Sequence, residues 1–200
     1  MRHRHGVWVL ALLALGLSAP ARADDEPRTW MALQAAAAVP YEPFRDAAEV
    51  GYGFTVGVQR FLSPRWSLGA DLGGYRWREL DDRVFPDMAP GNFDYRAVQL
   101  GAHARWHVLG PAGEPHRWFV QAGAGSYQCT DEATVETGAW HKTVGHTIGV
   151  NVGGGVSLPL GRNTRLSTLV LVHRTWAHAS QTGDRRFATL GTEFSFGVDR

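Results

Sequence analysis

The segment of residues 144–160 constrains the fold of this chain more than any other, because its two alternating sets of residues differ in chemistry. One set is mostly branched and apolar: Val144, His146, Ile148, Val150, Val152, Gly154, Val156, Leu158 and Leu160. The other set is small or weakly polar: Gly145, Thr147, Gly149, Asn151, Gly153, Gly155, Ser157 and Pro159. Successive side chains of a strand point to opposite faces, and glycine inside a strand usually marks a crowded or curved place. A narrow membrane barrel, with lipid outside and a tight interior, satisfies both conditions.

The first 23 residues have the pattern of a secretory signal peptide. A basic start at residues 1–5 precedes an apolar run at 7–17, and a small-residue site ends at Ala23. The run of 11 residues (7 to 17) is too short to span the ~30 Å of a bilayer's hydrocarbon. We therefore predict cleavage after Ala23, which leaves one mature domain at residues 24–200.

The charge and composition of the mature chain exclude several classes of protein. Removing Arg2, Arg4 and Arg22 lowers Lys+Arg from 20 to 17 against 19 Asp+Glu, which is too balanced for a nucleic-acid binder. The one cysteine, Cys129, excludes an intrachain disulfide. No apolar run after the signal is long enough for a transmembrane helix, yet 24 Gly and 8 Trp are unusual for a soluble domain. Strands satisfy their backbone groups in lipid only when the sheet closes, so an outer membrane is the expected location.

Eight segments show strand character, and the connections between them alternate between long and short. The predicted strands are 30–39, 51–62, 65–77, 93–108, 117–128, 144–160, 164–176 and 186–198. The seventh is rich in Leu and Val, and its pattern does not show which residues face inward. Roughly ten residues suffice for a tilted strand to cross a bilayer, and long loops at one end with short turns at the other are typical of outer-membrane barrels. A soluble barrel of the lipocalin kind would not need this alternation. We predict an all-β fold: an eight-stranded antiparallel up-and-down transmembrane β-barrel.

Aromatic residues are predicted to form two girdles at the membrane boundaries. Trp30, Trp66, Trp106 and Trp118 fall at the rim where the first strand begins. The aromatic residues that fall near the opposite rim are Tyr41, Phe44, Tyr52, Tyr75, Trp77, Tyr95, Tyr127, Trp176 and Phe187. Trp and Tyr prefer the interface between lipid and water, and such belts flank the apolar band of membrane barrels.

Three features together carry a resemblance to a known family: the signal, the glycine-rich residues 148–156, and the ending Leu-Gly-Thr-Glu-Phe-Ser-Phe at 190–196. On these the chain resembles the small eight-stranded outer-membrane barrels of the OmpA-like and opacity-protein-like superfamily. The resemblance implies the outer membrane of a Gram-negative bacterium, with outer-membrane lipid and lipopolysaccharide as neighbours. It also implies assembly by periplasmic chaperones and the barrel-assembly machinery. Such barrels usually end on an aromatic residue, whereas here residues 197–200 follow Phe196.

Polar side chains are predicted to fill the interior of this barrel. The predicted interior network consists of Asp71, Gln99, His103, Arg105, Gln121, Asn151 and Glu193. An eight-stranded barrel has an interior that side chains just about fill, and buried charges are normally paired. Asp71, Arg105 and Glu193 are therefore expected to form an ionic network that plugs the lumen, and a small gated pore is the alternative.

The histidine spacing does not favour a metal site. His103 and His107 share a strand face but lie about 13 Å apart at the rise of a strand, too far to bind one ion. We predict no metal and no other cofactor.

One short motif raises the prospect of catalysis. His178-Ala179-Ser180 resembles the H-x-S element of outer-membrane lipid A deacylases, which implies His178 as base, Ser180 as nucleophile and Glu193 as a candidate acid. Asp184 is nearer to the motif than Glu193, which lies 13 residues after Ser180 on the predicted interior face. In that family Asn usually follows the serine, whereas here Gln181 does.

We expect a structural or interaction protein, with four surface loops that could meet an extracellular ligand. A lipid A-modifying esterase is the alternative.

Overall fold

The computed structural model describes residues 28–42, 44–46, 48–78, 91–108, 117–135, 140–176 and 184–198, which form a closed antiparallel β-barrel. The strands are β1 (Thr29–Tyr41), β2 (Gly51–Phe61), β3 (Trp66–Arg78), β4 (Gly91–Val108), β5 (Arg117–Val135), β6 (Trp140–Pro159), β7 (Thr164–Trp176) and β8 (Arg186–Gly197). Each strand pairs with its neighbours in sequence, and β8 pairs with β1. The predicted fold class is confirmed. The predicted signal peptide lies outside the described residues.

The two ends of the barrel differ. At one end, here called the short-turn end, β2 connects to β3 through residues 62–65 and β6 connects to β7 through residues 160–163. The other end, here called the long-loop end, joins β1 to β2, β3 to β4, β5 to β6 and β7 to β8. A short 3₁₀ helix, Phe44–Asp46, follows β1 there.

The strands are strongly tilted. Stepping from Tyr41 through the paired residues of β8, β7, β6, β5, β4, β3 and β2 returns to β1 at Met31, ten residues from the start (41 to 31). A closed sheet needs such a stagger, which tilts the strands relative to the barrel axis. The stagger decides which interior side chains of distant strands meet.

The third long connection is shorter than the sequence predicted. β5 continues to Val135 and β6 begins at Trp140, so the ladder runs from Cys129↔Gly145 to Thr134↔Trp140. β4 joins this extension, because Gly91 pairs with Val135. The prediction of a loop at residues 129–143 was wrong because polar residues occupy both faces there. Apolar alternation, the signal used to recognise strands, is therefore missing although the backbone ladder continues.

The barrel is apolar outside and polar inside. On β6, Val152 is 53 % exposed and Val150 and Ile148 are exposed with it, whereas Asn151 is 3 % exposed. The same alternation places Leu33, Phe54, Leu72, Leu100, Val120, Val172 and Leu190 on the outer surface. Exposed apolar bands of this kind are expected where lipid, and not water, surrounds the sheet. No helix in the described part of the chain has the length and apolar character needed to cross a membrane.

Two glycines of β6 allow the backbone of β7 to approach closely. Gly153 pairs with Leu171 and Gly155 pairs with Leu169, and both leucines are buried against Phe119. A Cβ atom at Gly153 would overlap the carbonyl oxygen of Val170. This packing also explains why the phase of β7 was ambiguous in the sequence: its inward face carries leucines where the other strands carry polar residues.

The aromatic girdles are partly as predicted. Trp66, Trp106, Trp118, Tyr52 and Trp176 lie on the outer surface near the strand ends. The prediction was wrong for Trp30 and Trp77, which are 2 % and 0 % exposed and point into the barrel. Their position along the strand suited a girdle, but Trp30 shares the inward face of β1 with Gln34 and Trp77 shares that of β3 with Tyr75. Glycine and a cation accommodate them: Trp77 lies against Gly51, and the guanidinium of Arg165 lies 4.4 Å from the Trp30 ring.

Replacing Gly153 with Ala should destabilise the barrel, because the new methyl group overlaps the backbone of β7 and the strands must separate. We expect a loss of at least about 2 kcal/mol in the free energy of unfolding. Gly74→Ala is the matched control, since nothing lies within 4 Å of a Cβ atom there, and its effect should stay within about 1 kcal/mol. Urea titration in detergent micelles, followed by tryptophan fluorescence, measures both. Equal losses for the two variants would contradict the packing described.

Candidate functional site

Aromatic rings close the interior near the long-loop end. This aromatic layer consists of Phe44, Tyr75, Trp77, Tyr127, His173 and Phe187. The His173 ring stacks on Phe187 at 4.5 Å between centroids, and Trp77 meets Phe187 edge-on at 4.9 Å. The indole N–H of Trp77 donates a hydrogen bond to the Ala38 carbonyl oxygen at 3.0 Å. Trp77, Tyr127 and Phe187 are fully buried, so these rings pack against each other and against the barrel wall.

Polar contacts lock the aromatic layer to the strands. The Tyr127 hydroxyl lies 3.2 Å from His173 Nδ1, and His173 Nε2 lies 3.3 Å from the Thr189 hydroxyl. The Tyr75 hydroxyl donates to Gln99 Oε1 at 3.3 Å. Buried Tyr and His tips normally find such partners, and these bonds hold each ring in one orientation.

The 3₁₀ helix after β1 supplies the outermost ring. Phe44 turns inward and packs edge-on against Tyr95 at 5.6 Å between centroids. The guanidinium of Arg185 lies 5.4 Å from the Phe44 ring, donates to the Arg96 carbonyl oxygen at 2.9 Å and pairs with Asp131. Cations are attracted to aromatic faces, so Arg185 covers the aromatic layer on the side of the long loops.

A buried ion pair occupies the interior nearer the short-turn end. Arg105 and Glu193 form a bidentate pair, with Arg105 Nη1 and Nη2 donating to the two carboxylate oxygens at 2.8 and 2.6 Å. Arg105 Nε donates to Gln121 Oε1 at 2.6 Å, and Nη1 also donates to Gln59 Oε1 at 3.0 Å. These four residues are here called the ionic layer. Removing one charge from such a pair leaves the other buried and uncompensated.

Further hydrogen bonds extend the ionic layer around the barrel wall. Gln59 Nε2 donates to the Ser67 hydroxyl at 2.6 Å, and this hydroxyl lies 2.9 Å from His107 Nε2. The Phe119 ring lies 4.7 Å from the Arg105 guanidinium carbon. The cavity beside these groups measures only about 10 Å³, no more than one water molecule needs.

All seven residues of the predicted interior network point into the barrel, but they fall into three separate sets of contacts. Arg105, Glu193 and Gln121 belong to the ionic layer, and Gln121 Nε2 lies 3.5 Å from Asn151 Oδ1. Asp71 does not join them. It pairs instead with His103 across neighbouring strands, with Asp71 Oδ2 at 2.8 Å from His103 Nδ1. The remaining member, Gln99, bonds to the aromatic layer.

Sequence reasoning missed most of the aromatic layer. Tyr75, Tyr127 and Phe187 were expected near the rim, but they are buried inside it. The alternation along each strand did indicate their direction, because Tyr127 shares the inward face of β5 with Gln121. Phe187 likewise shares the inward face of β8 with Glu193. His173 was hidden because the phase of β7 could not be assigned.

The structure weakens one part of the catalytic hypothesis. His178 and Ser180 lie outside the described residues. Glu193 pairs in register with Ser167, nine residues (167 to 176) before the end of β7, or about 30 Å at the rise of a strand. Both of its oxygens bind Arg105. Glu193 therefore lies deep in the barrel and serves as the partner of Arg105. Within the described ranges, no three His, Cys, Asp or Glu side chains gather closely enough to hold a metal ion.

Comparison with protein families finds one match. The sequence matches the autotransporter beta-domain family over residues 46–193, most of the chain. No curated protein sequence matches it.

Solved structures with the same fold include several small barrels. Neisserial surface protein A is 15 % identical, with a TM-score of 0.57, and the match covers 85 % of this chain and 97 % of that one. A major outer membrane protein from Thermus thermophilus is 15 % identical, with a TM-score of 0.55 and coverage of 84 % and 98 %. Ail, the attachment invasion locus protein of Yersinia pestis, in complex with the heparin analogue sucrose octasulfate, is 12 % identical, with a TM-score of 0.54 and coverage of 86 % and 99 %. At this identity the likeness shows the fold, that of an outer-membrane-type β-barrel.

A double-mutant cycle on Arg105 and Glu193 should show strong coupling. Glu193→Gln or Arg105→Met alone should lower the free energy of unfolding by about 3–5 kcal/mol, because each leaves a buried uncompensated charge. The double variant should cost less than the two single losses added together. Urea unfolding in micelles gives the three differences. Additive losses would mean that the two charges do not form the pair described.

Proposed function

The chain belongs to the autotransporter beta-domain family, and we propose that it serves in the outer membrane of a Gram-negative bacterium as a closed scaffold that displays its long loops to a ligand outside the cell. The observation that carries this proposal is the filled interior. The aromatic layer and the ionic layer occupy successive levels of the barrel, and their members are buried. A barrel filled in this way favours a role at its surface over passage through its lumen.

The outer surface supports the placement in lipid. Apolar side chains cover the wall between the strand ends, and exposed Trp66, Trp106 and Trp118 lie toward the short-turn end. Exposed Tyr52 and Trp176 lie toward the long-loop end. In outer-membrane barrels, long loops face outward and short turns face the periplasm. We therefore place the long-loop end outside the cell and both ends of the described chain on the periplasmic side.

A surface interaction is the first role to test. Rigid scaffolds commonly carry binding on their loops, and two proteins with this fold are named for the surface and for attachment. On this chain the ladder of β4, β5 and β6 continues at the long-loop end as far as Gly91↔Val135 and Thr134↔Trp140, so paired strands are available there for contact with a partner. Contact with lipopolysaccharide, periplasmic chaperones and the assembly machinery belongs to the same proposal.

Cysteine labelling tests the orientation. In a Cys129→Ala background, Glu49→Cys at the long-loop end should react with a membrane-impermeant maleimide on intact cells, because this position is exposed. Arg65→Cys, exposed in the turn between β2 and β3, should react only after the outer membrane is permeabilised. The reverse pattern would invert the proposed orientation. Reaction at neither site, in cells or permeabilised cells, would argue against insertion.

Conductance in planar bilayers separates the scaffold from the alternative of a gated pore. The wild-type barrel should show no stepwise ion current, and Glu193→Gln should show none either, because the aromatic layer remains in place. A pore would produce steps in the wild type whose size or selectivity changes in Glu193→Gln. Such steps would contradict the filled interior.

The esterase alternative rests on residues that the structure does not describe, and a separate measurement addresses it. Lipid A from cells expressing the wild type and Ser180→Ala should have the same acylation by mass spectrometry if the protein is a scaffold. A difference of one acyl chain between the strains, present only with the wild-type serine, would replace the scaffold proposal with an enzyme.

A further inference from the structure

Two pairs of arginines face each other across neighbouring strands on the outer surface, toward the long-loop end. Arg76 on β3 pairs in register with Arg96 on β4, and Arg174 on β7 pairs in register with Arg186 on β8. Side chains directly opposite each other on one sheet face lie close together, and like charges in such positions are destabilising. Each pair therefore needs a source of negative charge.

The pair on β3 and β4 has its own carboxylates. Asp94 accepts hydrogen bonds from Arg76 at 2.9 and 2.6 Å and from Arg96 at 2.9 Å. Glu132 lies 3.2 Å from Arg96 on the other side. Arg76 and Arg96 are here called the neutralised pair, because two carboxylates balance two guanidinium groups.

The pair on β7 and β8 has no such partner in the part of the chain that the structure describes. Among the described residues, no carboxylate lies within ion-pair distance of Arg174 or Arg186, and Arg186 Nε is buried without a hydrogen-bond partner. The one described contact of the Arg174 guanidinium is with the Trp176 ring, at 5.4 Å from the centroid. Arg174 and Arg186 are here called the open pair.

The surroundings of the open pair are those of the lipid boundary. Arg186 pairs in register with Tyr41 at the end of β1, and Arg174 pairs with exposed Val150. Trp176, the girdle residue of β7, lies two residues beyond Arg174 toward the long loops. A long cationic side chain at this depth reaches toward the headgroups, and a guanidinium without a counter-charge in such a place is costly. An anionic headgroup would supply the missing charge.

The wall beneath the open pair has room for an acyl chain. A shallow outer depression of about 680 Å³ lies over β1, β2 and β8, where Ala35 and Ala37 leave a low floor between Phe54 and Leu190. Ala37 pairs with Leu190, four residues along β8 from Arg186, or about 13 Å. The depression is mostly apolar in its lining, so a hydrocarbon chain that descends from the headgroup level would lie in it.

We propose that Arg174 and Arg186 bind the phosphate of a phosphorylated lipid in the outer leaflet, with an acyl chain of that lipid in the depression over Ala35 and Ala37. Two guanidinium forks suit the several oxygens of a phosphate. The inference rests on the proposed placement in the outer membrane and goes beyond it, because it assigns a specific lipid site to one sector of the barrel.

Binding of lipid A by the purified, refolded barrel in detergent micelles tests the proposal. Native mass spectrometry would compare phosphorylated lipid A, dephosphorylated lipid A and inorganic phosphate as separate probes. The wild type should retain phosphorylated lipid A, and the Arg174→Gln/Arg186→Gln variant should bind it at least roughly tenfold more weakly, as expected for two lost charge-assisted hydrogen bonds. Arg96→Gln, in the neutralised pair, is the matched control and should bind like the wild type.

The probes distinguish a lipid from a free anion. Ala37→Leu partly fills the depression and should weaken binding of phosphorylated lipid A without changing the open pair. The proposed acyl-chain contact would be overturned if inorganic phosphate bound as tightly as the lipid. It would also be overturned if Ala37→Leu bound phosphorylated lipid A as tightly as the wild type. Equal binding of phosphorylated lipid A by the wild type and the double glutamine variant would overturn the site itself. Heat-shifted gel mobility of each variant shows that the barrel is folded, so failure of the site is separable from failure of the outer-membrane proposal.

Discussion

Closure of the sheet in lipid is the constraint on which the rest of this structure depends. A backbone that crosses hydrocarbon must satisfy its own hydrogen bonds, and a barrel does so without leaving an edge. With eight strands, closure also fixes a narrow interior. The chain therefore reverses the arrangement of a soluble protein, with its valines and leucines outside and its ionisable groups inside. Glycines such as Gly153 appear where neighbouring strands approach closely, since a Cβ atom there would overlap the Val170 carbonyl oxygen.

The narrow interior explains why the charges inside are paired so completely. Arg105 has hydrogen-bond partners on three other strands: Gln59 on β2, Gln121 on β5 and Glu193 on β8. Such a network specifies how the strands stand relative to each other, because a shift of register would leave a charge without its partner. The aromatic layer adds apolar packing at the next level, and Arg185 covers it from above. Together they make the interior a packed core with a polar half and an aromatic half.

The sequence predicted which residues of a strand face inward or outward, because this follows from alternation within one strand. It did not predict which interior side chains contact each other, because this depends on how strands pair. The alternation of residues 144–160 predicted both faces of β6 and the membrane barrel. It could not show that Asp71 meets His103 while Glu193 meets Arg105. The first contact depends on the register of β3 and β4, and the second depends on the stagger of ten residues around the closed sheet. Trp30 and Trp77 were assigned to the girdles because they lie near strand ends. Their place in the alternation of inward and outward residues decides that their side chains point into the barrel. The extension of β5 and β6 was not predicted because its sequence has polar residues on both faces and so lacks apolar alternation.

The surface and the interior suggest different roles for the same kind of side chain. Inside, arginine holds strands together through protein carboxylates. Outside, the neutralised pair does the same at the rim, whereas the open pair has no carboxylate partner among the described residues and is where we propose a lipid phosphate. Loops, rim and wall are thus the parts of this molecule available to partners, and the lumen is not.

The orientation of the sheet in lipid is tested most directly by collision measurements on spin labels along β6. Single cysteines at Ile148, Val150, Val152 and Asn151, in a Cys129→Ala background, would carry the label in bilayers that contain dissolved oxygen or a water-soluble nickel chelate. Labels at Ile148, Val150 and Val152 should relax strongly with oxygen and weakly with the chelate, whereas the label at Asn151 should be shielded from oxygen. Strong oxygen relaxation at Asn151 with shielding at Val150 and Val152 would contradict the account, because the apolar face would then be the inside.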